Sequence, residues 1–124
     1  MGSFLQPKNT VEVYRGSSAT ISLSVVDTNG AVVDLTGATV VMTVKERLES
    51  PRNIFQKSSA DAAEILITSA RGGLAEIYIL PADTLSRDIK QYVFDVWVIL
   101  PSGKRIVVVE PSTFDIQPAV TVLS

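Results

Sequence analysis

The sequence predicts an all-β chain that folds as an antiparallel β-sandwich of seven to eight strands. Apolar and polar residues alternate with a period of two along most of the chain, which is typical of strands with one buried face. Turn-forming residues recur at a spacing of roughly 8–12 residues, and no segment of helical period has a useful length. Because parallel βαβ units need helical crossovers, the pattern argues against a parallel sheet.

The composition limits the chemistry that the chain can carry. Its 124 residues suit one domain with one core, and 46% of them are apolar. It has no Cys and no His, which removes disulfides, thiolate metal sites and every Ser-His or Cys-His nucleophile. We therefore expect a chain that is not an enzyme and has no catalytic residues, no cofactor and no metal site.

Charge and hydropathy bear on the partners. The net charge is −2 and the basic residues are not clustered, so a nucleic-acid backbone is not expected as a partner. No run of 18 apolar residues is present, and no signal peptide is visible at the N-terminus, so no membrane partner is expected.

The first strands are separated by well-defined turn signals. Residues 20–26 alternate, and the Asn-Gly step in residues 27–30 predicts a hairpin; the same residues begin like a calcium loop, but the acidic ligands do not continue. Asp34 suits an Asx turn and Gly37 a positive φ, so the chain should kink or cross over there before a strand at 39–45. The predicted inward residues are Ile21, Leu23 and Val25 in the first strand and Val40, Met42 and Val44 in the second.

Residues 46–63 are polar, contain Pro51 and lack a clear period, so we interpret them as a long loop with one helical turn near residues 60–63. Ile54 and Phe55 are the apolar pair within it. They either pack beneath the loop as a small satellite cluster or are presented to a partner.

The second half of the chain repeats the strand-and-turn pattern. Residues 81–88 predict a turn or a single helical turn, because Pro81 suits a first helical position and Asp83 an early one. The remaining strands are expected at residues 64–68, 74–80, 91–100 and 105–110, followed by extended segments at 112–118 and 119–123.

The strand at 91–100 has two apolar faces. We expect Tyr92, Phe94 and Val96 to point into the core and Asp95 to point out, because a carboxylate resists burial. Trp97 then lies outside as well, beside Val93, Ile99 and Val41. Three alternatives remain for Trp97: an interface with another protein, cover by the 46–63 loop, or packing into the core.

The expected organisation is an N-terminal arm at residues 1–9, a sandwich domain at 10–118 and a C-terminal arm at 119–124. Phe4 and Leu5 suit docking on a neighbouring subunit. Val120 and Val122 lie in a stretch that can add a strand to another sheet.

Five segments carry a resemblance to a known family: "YRGSSATISLSVV", "DTNGAVVDLTGATVVMTVK", "GGLAEIYILPADTLS", "QYVFDVWVILPSGK" and "STFDIQPAVT". Their order resembles the N-terminal immunoglobulin-like domain of tailed-bacteriophage baseplate upper proteins and related virion domains. The resemblance spans about residues 14–121. The chain departs from the family pattern at residues 111–114, where a glycine is expected, and its 46–63 segment is longer than the usual turn.

The resemblance implies an immunoglobulin-like sandwich and a non-enzymatic structural role in a virion. A tail or baseplate connector is the first expectation, and a capsid decoration, neck or fibre-attachment protein follows. The implied partners are other virion proteins and further copies of the chain, in a particle assembled in the host cytoplasm. The alternative is a carbohydrate- or receptor-binding module, since β-sandwiches present loops suited to that purpose.

Overall fold

The structure is a computed structural model that describes residues 10–121. Within this range, eight strands form two sheets that pack face to face around one apolar core, and the single helix is four residues long. The strands are β1 (Thr10–Tyr14), β2 (Ala19–Ser24), β3 (Thr39–Lys45), β4 (Asn53–Ser58), β5 (Ile65–Ser69), β6 (Leu74–Ile79), β7 (Gln91–Ile99) and β8 (Arg105–Gln117), and the helix α1 (Pro81–Thr84) lies between β6 and β7.

The strand order identifies the sandwich as immunoglobulin-like. One sheet has the order β1-β8-β7-β3-β4 and the other the order β2-β6-β5. All pairs are antiparallel except β1 with β8, which run parallel. In chain order, β2, β6 and β5 correspond to strands B, E and D of immunoglobulin domains, and β8, β7, β3 and β4 correspond to G, F, C and C′. The predicted fold class is confirmed.

The core lies between the two sheets and consists of the inward-facing apolar residues of the strands. Phe114 is fully buried at its centre, with edge-to-face ring contacts to Phe94 (centroids 6.3 Å apart) and to Phe55 (5.7 Å). The predicted inward residues Leu23, Val25, Val40, Met42, Val44, Tyr92, Phe94 and Val96 are all buried, and Ile21 is partly buried against the core.

The two predicted turns after β2 have the expected local chemistry. The Asp27 carboxylate accepts hydrogen bonds from the amides of Asn29 and Ala31, and the hairpin closes through a single bridge between Val26 and Val32. The Asp34 carboxylate accepts from the Thr36 amide, as an Asx turn requires. This second turn carries the chain from the three-stranded sheet to the five-stranded sheet.

The prediction of a long loop over residues 46–63 is wrong, because β4 lies within that segment and forms an edge of the five-stranded sheet. The sequence pattern does not reveal this strand because Lys57 occupies an inward position opposite Met42, where an apolar residue is expected. Its ammonium lies 2.6 Å from the Asp83 carboxylate at the start of α1, and only 4% of Lys57 is exposed. The salt bridge makes an inward lysine compatible with the core.

The last strand is longer than the sequence indicated. The segments expected at 105–110 and 112–118 are one continuous strand of 13 residues. Its register with β7 shifts between Phe94 and Val96, where Glu110 and Pro111 lie on β8, and again between Val96 and Trp97, where Val108 lies, so β8 is irregular at these two places. The irregularities conceal the alternation that would otherwise reveal a single strand.

A hydrogen bond at the start of β7 was not anticipated from the sequence. The Tyr92 hydroxyl donates to the backbone carbonyl of Asp88, four residues upstream, at 2.9 Å. This is the tyrosine corner of immunoglobulin-like sandwiches, and it fixes the turn that leads into β7. Phe94 follows two residues later, at the position that holds the second disulfide cysteine in antibody domains. In this chain, Phe94 makes an aromatic contact with Phe114 at that position instead of a disulfide.

Candidate functional site

The candidate functional site is the outer face of the five-stranded sheet, centred on Trp97. Pairing of β3 with β7 places Val41 directly opposite Trp97, and pairing of β7 with β8 places Val107 on its other side. Ile99 lies two residues further along β7 on the same face. The sheet therefore presents a large aromatic side chain flanked by β-branched residues on a surface where polar side chains are usual.

The orientation of Trp97 is set by its own strand. The indole Nε1 donates a hydrogen bond to Oδ2 of Asp95 at 3.0 Å, and the two side chains share one face because they are two residues apart. Trp97 is 38% exposed. With its one polar atom paired, the rest of the indole is available for apolar contact with another molecule.

Polar side chains surround the apolar centre. The Gln56 amide donates to the Thr43 hydroxyl at 2.9 Å across the β3–β4 pair, and Arg105 lies opposite Ile99. Together they border a shallow depression of about 360 Å³ lined by Val41, Thr43, Lys45, Asn53, Gln56, Asp95, Trp97, Ile99 and Arg105. An apolar centre with a polar rim is the usual composition of a protein–protein contact surface.

An ion pair joins the residue that follows β3 to the residue that precedes β7. Lys90 Nζ lies 2.7 Å from Oε2 of Glu46. The hydrogen bond between them lowers the pKa of the Glu46 carboxyl and raises the pKa of the Lys90 ammonium. Both groups are largely solvated, so the pair acts as a local tether between two chain segments.

The structure brings three of the predicted partner-contact residues, Val93, Trp97 and Ile99, to one face of β7. Asp95 and Trp97 point outward, as expected. Packing of Trp97 into the core is the wrong alternative, since the residue lies on the outer face. Cover by residues 46–63 is also wrong, because β4 in that segment lies beside β3 within the sheet and two strands away from β7.

Ile54 and Phe55 take the first of the two alternatives considered for them. Both are partly buried and pack against the core, and Phe55 contacts Phe114. Their position on β4 points Phe55 inward, opposite Val44. They are not part of the outer face around Trp97, so their predicted contact with a partner has no support from their surroundings.

The predicted arm residues are separate from the outer face. Phe4, Leu5 and Val122 lie outside the described residues. Val120 is fully exposed, and residues 119–121 form no strand. The expectation that the two arms contact a neighbour stays a prediction.

The described part of the chain shows no arrangement with an evident reaction chemistry. Within residues 10–121, no group of three or more His, Cys, Asp or Glu side chains is placed to hold a metal ion. In that same range, no helix has both the length and the apolar character needed to cross a membrane.

Sequence reasoning missed the contribution of β4 and β8 to the site. Asn53 and Gln56 belong to β4, which the sequence pattern does not reveal. Val107 lies opposite Trp97 and Arg105 opposite Ile99 through strand pairing that a sequence pattern cannot specify. Phe55 and Lys57 occupy the inward positions of β4, and a lysine at an inward position hides the alternation from a sequence pattern.

Comparison with known proteins adds little to this description. No protein-family model matches the chain, and no curated protein matches it. Among solved structures, the chain is similar to murine CRIg, with 15% sequence identity over 89% of this chain and 92% of that chain and a TM-score of 0.42. The immunoglobulin-like assignment therefore follows from the strand order and pairing of the chain itself.

Proposed function

We propose that the chain is a non-enzymatic structural protein of a tailed-bacteriophage virion and that it acts through protein–protein contacts. The virion role is supported by the sequence resemblance within residues 14–121, whose segments include β2, β3, β6, β7 and the end of β8 in the same order. The contact role is supported by Trp97, a partly exposed indole at the centre of a sheet face.

The outer face would bind its partner through complementarity of shape. Trp97, Val41 and Ile99 supply the apolar area, while Gln56 and Arg105 supply hydrogen-bonding groups at the rim. Trp and Arg are enriched among the residues that dominate binding energy at interfaces. A partner with a shallow apolar ridge and acidic or amide groups beside it matches this surface.

A symmetric particle makes even a small surface effective. Each contact repeats around the particle, and the repetition raises the overall binding strength through avidity. A tail or baseplate connector is the first position that we propose, followed by a capsid decoration, neck or fibre-attachment protein. In each of these the chain contacts other virion proteins and further copies of itself.

The direct test is mass spectrometry of particles purified from lysates of the cells that encode the chain, combined with immunogold labelling. We expect the chain in the particle fraction at a stoichiometry that matches a symmetric ring or lattice. If the chain occurs only in the soluble fraction, the virion role is wrong.

The contact surface is tested separately with two matched variants. Trp97→Ala removes the centre of the outer face, and Leu66→Ala removes a similarly exposed apolar residue from β5 in the other sheet. We expect Trp97→Ala to weaken incorporation into particles by about 30-fold or more, as for an interface hot spot, and Leu66→Ala to leave it unchanged. Equal effects of the two variants would remove the outer face from the proposal.

A carbohydrate- or receptor-binding module is the second candidate. It is supported by the depression next to Trp97, where an aromatic ring adjoins the amides of Asn53 and Gln56 and the carboxylate of Asp95. Binding to a glycan array or to host cells, lost in Trp97→Ala, would favour this candidate over the structural one.

A further inference from the structure

Strand β4 forms one edge of the five-stranded sheet, with β3 on one side alone. At the end of this pair, the Ser59 amide donates to the Val40 carbonyl at 2.9 Å, so Lys57, two residues earlier, also directs its backbone groups to β3. The backbone groups of Gln56 and Ser58 therefore face away from the sheet. An open edge of this kind is a template for pairing with another chain.

Two charged side chains cap backbone groups at this edge. The Ser58 amide donates a hydrogen bond to Oε1 of Glu64 at 2.9 Å. Nη2 of Arg87 donates a hydrogen bond to the Ile54 carbonyl at 2.8 Å. Between these two caps, the Gln56 amide and carbonyl have no such partner among the described residues. The edge is therefore capped on both sides of one open position.

Two further features of β4 oppose the addition of a strand. Lys57 points inward from this edge strand, where its burial depends on the ion pair with Asp83. The register with β3 shifts between Val44 and Lys45, beside Ile54, and a bulge of this kind bends the strand that carries it. Inward charges and bulges are both means by which natural sheets avoid edge-to-edge pairing. The side-chain caps act in the same direction.

A second copy of the chain is the partner that this edge would fit without the caps. In an antiparallel pair of two β4 strands centred on Gln56, the residue two positions after the centre lies opposite the residue two positions before it. Ser58 of one copy then lies opposite Ile54 of the other. The amide and the carbonyl that would bond across this pair are the groups that Glu64 and Arg87 cap within one chain.

We propose that Glu64 and Arg87 keep β4 closed to a second copy of the chain, and that loss of both caps opens a dimer interface at this edge. Neither side chain lines the depression around Trp97, so the outer face keeps its own contacts when the caps are removed. The inference concerns the β4 edge alone and does not depend on the virion role.

Analytical ultracentrifugation of purified variants over a range of concentrations tests the proposal. Glu64→Ala/Arg87→Ala removes both caps. Arg47→Ala/Glu49→Ala is the matched control, because it removes the same two residue types from an exposed ion pair. We expect the first variant to dimerise with a dissociation constant at least about tenfold lower than that of the wild type, and the control to match the wild type. Unchanged association of the first variant, or equal association of the control, would overturn the proposal.

A cysteine at the centre of the edge identifies the surface that associates. The chain contains no cysteine, and the two copies of residue 56 would have Cα atoms about 5.5 Å apart, within the range of a disulfide. In the Glu64→Ala/Arg87→Ala background, we expect Gln56→Cys to form a disulfide dimer on mild oxidation. Leu66→Cys on β5 should form none. If both positions crosslinked equally, or if Gln56→Cys did not crosslink, the β4 edge would not be the interface.

Amide hydrogen exchange in the wild type gives a test that needs no variant to fold. The Ser58 amide is bonded to the Glu64 carboxylate, whereas the Gln56 amide faces the open position of the same edge. Relative to their intrinsic rates, we expect the Ser58 amide to exchange at least about tenfold more slowly than the Gln56 amide. Equal protection of the two amides would show that Glu64 does not close the edge in solution, and the proposal would be wrong.

Discussion

The indole nitrogen of Trp97 donates a hydrogen bond to the carboxylate of Asp95, two residues earlier on the same strand, at 3.0 Å. This bond satisfies the one polar atom of the indole, and Val41 is the cross-strand neighbour of Trp97 on β3. An outward Trp on a sheet is then ordered before it meets a partner, so less side-chain entropy is lost when it does.

The first prediction concerns this bond. Asp95→Ala removes the acceptor, and we expect acrylamide to quench Trp97 fluorescence more efficiently because the indole becomes mobile. Asp95→Asn keeps an acceptor oxygen and should leave quenching nearly unchanged. Trp97 is the only Trp of the chain, so its emission is read without correction. Equal quenching in the wild type and both variants would show that Asp95 does not position the ring.

The second prediction concerns the buried ion pair of Lys57 and Asp83. Asp83→Ala leaves the Lys57 ammonium in the core without its carboxylate, and we expect the free energy of unfolding to fall by about 3 kcal/mol. Urea unfolding measures the change. The double variant Lys57→Met/Asp83→Ala removes the stranded charge as well, so it should be more stable than Asp83→Ala alone. A double variant less stable than the single one would contradict this explanation.

The third prediction compares the effect of an alanine substitution on stability at two glycines with positive φ, Gly30 and Gly73. A Cβ at Gly73 would lie 2.8 Å from the Val25 carbonyl oxygen and 2.9 Å from that of Val33, whereas a Cβ at Gly30 would meet nothing within 4 Å. Gly30→Ala bears only the backbone cost of its φ, about 1 kcal/mol. Gly73→Ala adds a clash with two backbone atoms, and we expect a loss of about 3 kcal/mol. Thermal unfolding distinguishes them, and equal losses would refute the steric explanation.

The fourth prediction concerns Tyr92 and alkaline pH. Burial, followed by the nearby Asp88 charge, raises the pKa of the Tyr92 phenol above its ordinary value of 10.0. The folded protein therefore keeps the phenolic proton at a pH where the unfolded chain loses it. Through this group, the free energy of unfolding falls as the pH rises from 10.0 through the folded-state pKa and is unaffected below that range.

Tyr92→Phe should abolish this alkaline component and, at neutral pH, cost about 1 kcal/mol for the lost bond to the Asp88 carbonyl. Urea unfolding at neutral and alkaline pH measures both effects. Tyr14→Phe is the control, because the Tyr14 side chain is exposed. If Tyr92→Phe retained the full alkaline loss, other groups would be responsible for it.

Much of the fold was predictable because its signals are local. The alternation in β3 and β6 selects their inward faces without reference to any other strand. The turns at Asp27 and Asp34 depend on a carboxylate that accepts amide hydrogen bonds within the next few residues. Placement of Asp95 and Trp97 on the outside of β7 followed from the same alternation and the cost of burying a carboxylate.

What the sequence by itself determined is the set of strands with clean alternation, the turns between them and the outward position of Trp97. Only the tertiary structure decided that residues 53–58 are a strand, because the inward Lys57 is compatible with burial only when Asp83, far along the chain, lies beside it. It also decided that Gln56 and Arg105 border Trp97. Their proximity depends on which strands pair and in what register. That pairing is made by backbone hydrogen bonds between residues that are distant in sequence, and every residue except proline carries both the donor and the acceptor, so the local sequence does not specify it.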